Sequence, residues 1–238
     1  MKPSQLTGGA RAAYVQDMFA QIARRYDLMN RLMTAGQDVR WRREVVQRAA
    51  LTAGGRLLDM GAGTGDLALE ARRQSPQAHI VAADFTLAMM RVGQSRLHLQ
   101  GRPALNWCGA DALSLPFPDG QFDAVVSGFL LRNVADLPQA LREQRRVLKP
   151  GGRIVILDTT RPHRSLLSPF INMHLKFVIP TLGRLVSGHS QAYAYLPDST
   201  QAFLSAEALE ECLEECGFNG VGYRRLMFGT VAVHWGVK

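Results

Sequence analysis

Apolar residues recur along this chain with two different periods, and the change from one to the other divides it. In the first 50 residues the period is helical. Val15, Met18, Phe19 and Ile22 fall on one face of a stretch spanning 11–25, and a second amphipathic stretch covers 41–50. From residue 56 short apolar runs take over. Arg56-Leu57-Leu58-Asp59-Met60 leads into glycines and reads as a buried strand entering a tight turn, and 79–83, 106–108, 122–126 and 153–157 read as further strands. Helical segments separate most of them. One covers 67–74 and is stopped by Ser75-Pro76. Another has Asp136 as N-cap and Pro138 in its first turn, and runs to Val147 before Pro150-Gly151-Gly152. Strands alternating with helices predict a parallel sheet covered on both faces.

After Asp158 the alternation breaks into a stretch rich in Leu, Phe, Pro, His and Tyr, up to residue 204. Ser205 then caps a helix through Cys216, Gly217 closes it, and strands near 223–226 and 230–234 flank Met227-Phe228-Gly229 as a hairpin. The expected fold is α/β: a doubly wound, Rossmann-like sheet, mostly parallel, with an antiparallel C-terminal edge hairpin, N-terminal helices and a cap insertion. One domain is expected. Its parts are an N-terminal helical cap (1–50), a cofactor-binding core (51–158), a substrate-cap insertion (159–204), and a C-terminal helix with strands (205–238).

A doubly wound sheet binds ligands beyond the carboxyl ends of its strands, where strand order reverses. Gly61-Ala62-Gly63-Thr64-Gly65 follows the first strand and is the candidate loop. Its G-x-G-x-G spacing differs from the G-x-G-x-x-G of dinucleotide sites, and Asp59 and Asp66 flank it. Carboxylates there would repel a pyrophosphate but suit a ligand carrying an ammonium and a sulfonium, which favours S-adenosylmethionine over NAD. Asp84, with Phe85 beside it, ends the second strand where a carboxylate accepts ribose hydroxyls. Asp111 and Ala112 follow the third strand and could hold the adenine amino group. Ser127 and Gly128 end the fourth and would line the same cleft. Together with Thr64 in the loop, these strand ends define the predicted cofactor site.

Composition narrows the setting. The 238 residues carry a net charge of +8, which favours anionic partners, either nucleic acid or an anionic membrane surface. The amino terminus has no apolar core of the secretory kind, and the most apolar stretch, 166–186, is interrupted by His174, Lys176 and Arg184. Cys108, Cys212 and Cys216 suggest neither a disulfide framework nor, with the histidines, a zinc site, so no metal is expected. The expected location is cytoplasmic, or peripheral to the inner face of the membrane.

Several segments resemble one family, the ubiquinone/menaquinone-biosynthesis C-methyltransferases, over nearly the whole chain. Tyr26-Asp27-Leu28-Met29-Asn30-Arg31-Leu32-Met33-Thr34-Ala35-Gly36, continuing to Trp41, is similar to the amino-terminal signature. Leu131-Arg132-Asn133-Val134, with Arg146 to Gly152, is similar to the second. The stretch 180–197 and the ending 231–238 complete the likeness. The resemblance implies the class I methyltransferase fold and methyl transfer to a ring carbon of a polyprenylated quinol, of demethylmenaquinol or ubiquinol-precursor type. Tyr26, Met29, Asn30, His189, Tyr193 and Tyr195 are the substrate-side candidates. The chain departs from the family pattern at Thr34 (usually Ser), Asp158 (usually Glu), Gly128 (usually Ser), Leu130 (usually Gly), His189, Ala194 and Trp235 (usually Arg). Most of these lie on the expected substrate side.

A quinol carbon becomes nucleophilic when the neighbouring hydroxyl loses its proton. A nearby cation lowers a phenol's pKa from about 10 by roughly 1–3 units. Arg132, following the fourth strand, is the candidate cation, and Asn133 could orient the same oxygen. His189, Tyr193, Tyr195 and Asp158 remain open as the base. The 159–204 insertion, with Phe170, Met173, Leu175, Phe177, Val178 and Ile179, is expected to wall the substrate. Three other readings stay open: methylation of another hydrophobic phenol, methylation of RNA, and a non-catalytic S-adenosylmethionine-binding protein. A homo-oligomer is compatible with all of them. Against RNA, Ser127-Gly128-Phe129-Leu130 is not the Asn/Asp-Pro-Pro-aromatic run of enzymes that methylate base amino groups, and Cys108 lies within a strand.

Overall fold

The computed structural model describes residues 7–102, 104–161, 195 and 198–238. Within them one sheet holds β1 (Arg56–Met60), β2 (His79–Asp84), β3 (Asn106–Gly109), β4 (Phe122–Gly128), β5 (Leu148–Thr159), β6 (Asn219–Leu226) and β7 (Val231–Val237), in the order β3-β2-β1-β4-β5-β7-β6. The first five run parallel, β7 pairs antiparallel with β5, and β6 antiparallel with β7. The doubly wound sheet and its edge hairpin are as the pattern predicts. Strand order reverses between β1 and β4, which places the 61–65 loop at the switch point.

The continuous apolar runs are explained by burial on both sides. Leu57, Val126, Val155 and Leu157 face one layer, with Trp41, Val45 and Val46 of α3 (Asp38–Ala49) and Leu67, Ala68 and Ala71 of α4 (Asp66–Gln74). Leu58, Val125, Ile154 and Ile156 face the other, with Leu141 of α6 (Leu137–Val147) and Leu209 and Leu213 of α7 (Ala206–Glu215). Full burial of such a side chain contributes about 1.5–3 kcal/mol. Both predicted caps form: Gln139 N–H donates to Asp136 at 2.9 Å, and Ala208 N–H to Ser205 Oγ at 3.2 Å. α5 (Leu87–Leu99), between β2 and β3, has the least defined sequence pattern because Leu87 and Leu99 are solvent-exposed and blur its apolar face.

The amino-terminal helices α1 (Gly8–Ile22) and α2 (Tyr26–Met33) build a small core of their own from Met18, Ile22, Met29, Met33 and Tyr195. They are tied to the sheet by polar contacts. Arg11 donates to the Arg132 carbonyl at 2.6 Å and Gln16 to the Phe85 carbonyl at 3.1 Å. Among the described residues no helix is long and apolar enough to cross a membrane.

Candidate active site

The glycine loop turns through the left-handed region three times, with φ of 72° at Gly61, 57° at Gly63 and 87° at Gly65, a conformation that costs other residues steric strain. The three glycines serve different neighbours. A Cβ on Gly65 would lie 2.7 Å from the Trp107 ring, so this position admits close packing of the loop against β3. Gly61 and Gly63 border the ligand spaces, with Leu130 and Met89 as their nearest neighbours. α5 approaches just as closely: a Cβ on Gly93 would sit 2.5 Å from the Thr64 carbonyl.

Two adjoining cavities meet at this loop. The larger, about 820 Å³ including its open mouth, is lined by Asp84, Phe85, Asp111, Ala112 and Gly128 from the strand ends. Ala12, Val15 and Phe19 of α1, with Leu130 and Asn133, line the same space. The smaller, about 420 Å³, lies on the loop's other side and holds Asp27, Asp59, Asp66, Arg42 and Thr64. Tyr26, Gly61, Gly63, Gly128 and Phe129 border both. Of the predicted cofactor residues, Gly65 and Ser127 border neither. Ser127 is fully buried in the sheet, its hydroxyl without a partner among the described residues.

The carboxylates are not equivalent. Asp59 is fully buried, accepts the Ala68 N–H at 2.9 Å and thereby caps α4. Its second oxygen has no partner among the described residues, and burial pushes its pKa up to about 7. Asp66 carries a different load from the one its place beside the loop suggests. It is bound by Arg96 at 2.7 Å and lies 3.5 Å from Arg42, so its charge is already matched. Asp84 accepts Gly63 N–H at 2.7 Å and Thr86 N–H at 2.6 Å, and burial raises its pKa. Asp111 is exposed and closes its own turn through Leu113 N–H at 2.9 Å.

Asp27, Arg42 and Arg96 were not singled out from sequence. Asp27 accepts the Thr64 hydroxyl at 2.5 Å and is bound by Arg96, which also donates to the Thr64 carbonyl at 2.9 Å. The N-terminal signature thus clasps the glycine loop through side chains 37 positions apart. The available signal was an aspartate next to Tyr26 in that signature.

On the acceptor side the predicted residues separate. Tyr26 lines both cavities; burial raises its phenol pKa, and the positive charge of Arg132 offsets only part of the rise. Met29 and Tyr195 are core residues of the N-terminal cap, and buried Asn30 gives its carbonyl to Thr34 Oγ1 at 2.8 Å. Asn133 lines the large cavity, donates to the Phe129 carbonyl at 3.0 Å and accepts from the Tyr195 hydroxyl at 3.2 Å. Arg132 stands one layer behind it, buried and paired with Asp158 at 2.7 Å, its guanidinium 5.2 Å from the Phe129 ring centre. Its partner is Asp158 rather than a group in the cleft, and the same pairing occupies Asp158, one of the residues considered as base. His189, Tyr193, Ala194 and the apolar residues at 170, 173, 175 and 177–179 lie outside the described residues.

Two departures from the family pattern acquire reasons. Leu130 presses on the backbone of Gly61 and projects into the large cavity, where it takes up space. Trp235 lines neither cavity: it stacks under Arg48 at 3.7 Å and fills the space left by Gly222.

Comparison with known proteins accords with this geometry. The family model described as the ubiE/COQ5 methyltransferase family matches residues 7–238. The chain is 46% identical over 224 residues to a ubiquinone/menaquinone biosynthesis C-methyltransferase UbiE of Desulfotalea psychrophila, covering 94% of this chain and 90% of the relative. It is 45% identical to a demethylmenaquinone methyltransferase of Thermus thermophilus, covering 92% and 99%. Among solved structures, a SAM-dependent methyltransferase from Aquifex aeolicus superposes with a TM-score of 0.62 at 17% identity, over 89% of this chain and 97% of the other. The [4+2]-cyclase SpnF superposes with 0.69 at 19%, over 94% of each, so this likeness speaks for the fold alone. On the match across 7–238 and the identity to curated relatives, the chain belongs to the ubiE/COQ5 methyltransferase family.

Proposed function

We propose that this protein is an S-adenosylmethionine-dependent C-methyltransferase acting on a ring carbon of a polyprenylated quinol. One observation carries the reading: a carboxylate-lined pocket and a mostly apolar cleft adjoin across Gly61, Gly63, Phe129 and Tyr26. The residues present fit the methyl donor. Asp59 offers an ammonium a buried oxygen that has no partner among the described residues, Arg42 lines the same pocket while bound to Asp38, and Asp84 and Asp111 stand at the strand ends for ribose and adenine. When bound, the donor supplies a methyl group already activated on a sulfonium.

The chain's own work is positioning and exclusion of water. Holding two reactants in line contributes about 7–11 kcal/mol to such a reaction. Val15, Phe19 and Leu130 supply an apolar wall for the acceptor, while Tyr26 and Asn133 present polar groups at its inner end. From behind, Arg132 offsets part of the cost that burial imposes on a phenolate there, an effect limited by its pairing with Asp158. The apolar cleft supports a hydrophobic quinol more than a nucleic-acid base, and the names of the relatives point the same way. A prenylated acceptor implies peripheral contact with the membrane that holds it.

Labelled S-adenosylmethionine should transfer its label to reduced demethylmenaquinone or to a polyprenyl benzoquinol, and not to total RNA. Measurable cofactor binding with no label on either quinol would overturn the reading. Arg132→Gln, checked as folded by circular dichroism, should lower turnover at least about tenfold; unchanged turnover removes Arg132 from the mechanism.

A further inference from the structure

Between α3 and β6 lies a groove of about 1290 Å³ including its open mouth. Arg40, Arg43, Arg48 and Arg224 line it together with a single carboxylate, Glu44. Glu44 is engaged by Arg48 at 2.9 Å and by Arg224. Arg43 reaches only the edge of Glu70 at 3.8 Å, and Glu70 is already held by Arg73 at 2.6 Å. Arg40 is exposed and makes no ion pair among the described residues. The groove therefore carries surplus positive charge.

Leu226 lines the same groove and leads directly into Met227 and Phe228 at the tip of the β6–β7 hairpin. Phe228 is 74% exposed, and Met227 and Phe228 both adopt positive φ (45° and 55°). Two successive non-glycine residues in that region are costly, and here the turn holds an apolar ring out in water. Thr160 N–H donates to the Thr230 carbonyl at 2.9 Å, which sets the tip level with the end of β5. That is the edge of the sheet onto which the cofactor loop also opens.

We infer that the α3–β6 groove and the Phe228 tip form a docking face for an anionic phospholipid leaflet, with lipid phosphate against Arg40 and Arg43 and the Phe228 ring among the acyl chains. The inference rests on the quinol reading, because a prenylated acceptor has to be drawn from a bilayer. Charge complementarity names the partner, and the Leu226-Met227-Phe228 tip distinguishes a leaflet from a polyanion without an apolar phase.

The test is cosedimentation of the full chain, without cofactor or quinol, with phosphatidylcholine vesicles with and without phosphatidylglycerol. Binding should require the anionic lipid and weaken with salt. Arg40→Gln and Arg43→Gln should each reduce it about fivefold, and Phe228→Ser about tenfold. Phe228→Ser should leave methylation of a detergent-dispersed, short-tailed quinol unchanged. Equal binding to both vesicles, indifference to all three substitutions, or retention of RNA without vesicle binding would overturn the docking face. Vesicle binding by a protein that methylates no quinol would instead leave the docking face standing and remove the proposed reaction.

Discussion

At Asp59 a single carboxylate links the cofactor site to folding. In the folded chain burial keeps its proton until about pH 7, while the unfolded chain releases it near the ordinary aspartate value of 3.8. Between these values the folded state binds more protons, so this group costs stability as pH rises from about 4 to about 7. Asp59→Asn should reduce that loss, by up to a few kcal/mol. Denaturant midpoints at pH 5 and pH 8 measure it, and a variant that loses as much stability as the parent contradicts the assignment. Leu130 makes the other residue-scale case. It occupies cleft volume against Gly61, so Leu130→Ala should raise turnover of a naphthoquinol relative to a benzoquinol, at a stability cost of about 1–3 kcal/mol. An unchanged ratio means that Leu130 does not set acceptor size. Both side chains could be named from the sequence, but not what they touch.

Among elements, the clasp between α2 and the glycine loop has the clearest consequence. Asp27 holds the Thr64 hydroxyl and Arg96 at once, and Arg96 also reaches Asp66. Asp27→Ala should weaken cofactor binding about tenfold, as loss of one partly buried charged hydrogen bond would, and should increase proteolysis within residues 7–37 while the sheet stays folded. Isothermal titration and limited proteolysis read the two effects, and unaltered cofactor affinity would separate α2 from the site. The strands were legible because Leu57-Leu58 and Ile154-Val155-Ile156-Leu157 are buried on both faces of a parallel sheet, which leaves continuous apolar runs. The caps at Asp136 and Ser205 were legible because capping is local. α5 was less so, since exposed Leu87 and Leu99 break its pattern. Tyr195 could not be placed from sequence, because its burial among Met18, Ile22 and Met29 joins residues more than 160 positions apart.

For the whole molecule, the cofactor site is assembled from β1, β2, β3, β4 and the N-terminal helices, so donor binding should stabilise them together. At a concentration 100 times its dissociation constant, S-adenosylmethionine should add about 2.7 kcal/mol to unfolding, and NAD at the same concentration should add nothing. A thermal scan with each compound decides it. Stabilisation by NAD would argue against the carboxylate-lined pocket as the reason for donor choice. The sequence by itself determined the alternating α/β order, the sheet with its edge hairpin, the glycine loop after β1 and the family signatures, because periodicity, caps and turn residues are short-range properties of the chain. The tertiary structure alone decided which charges remain available in the site. Asp66 is taken by Arg96, Arg132 by Asp158 and the Thr64 hydroxyl by Asp27, whereas Asp59 keeps one oxygen without a partner among the described residues. The glycine loop accordingly has its role from its spacing, and its electrostatics from arginines and aspartates brought to it from as far as 37 positions away. Pairing of charges depends on distances across the fold, and no local pattern encodes them.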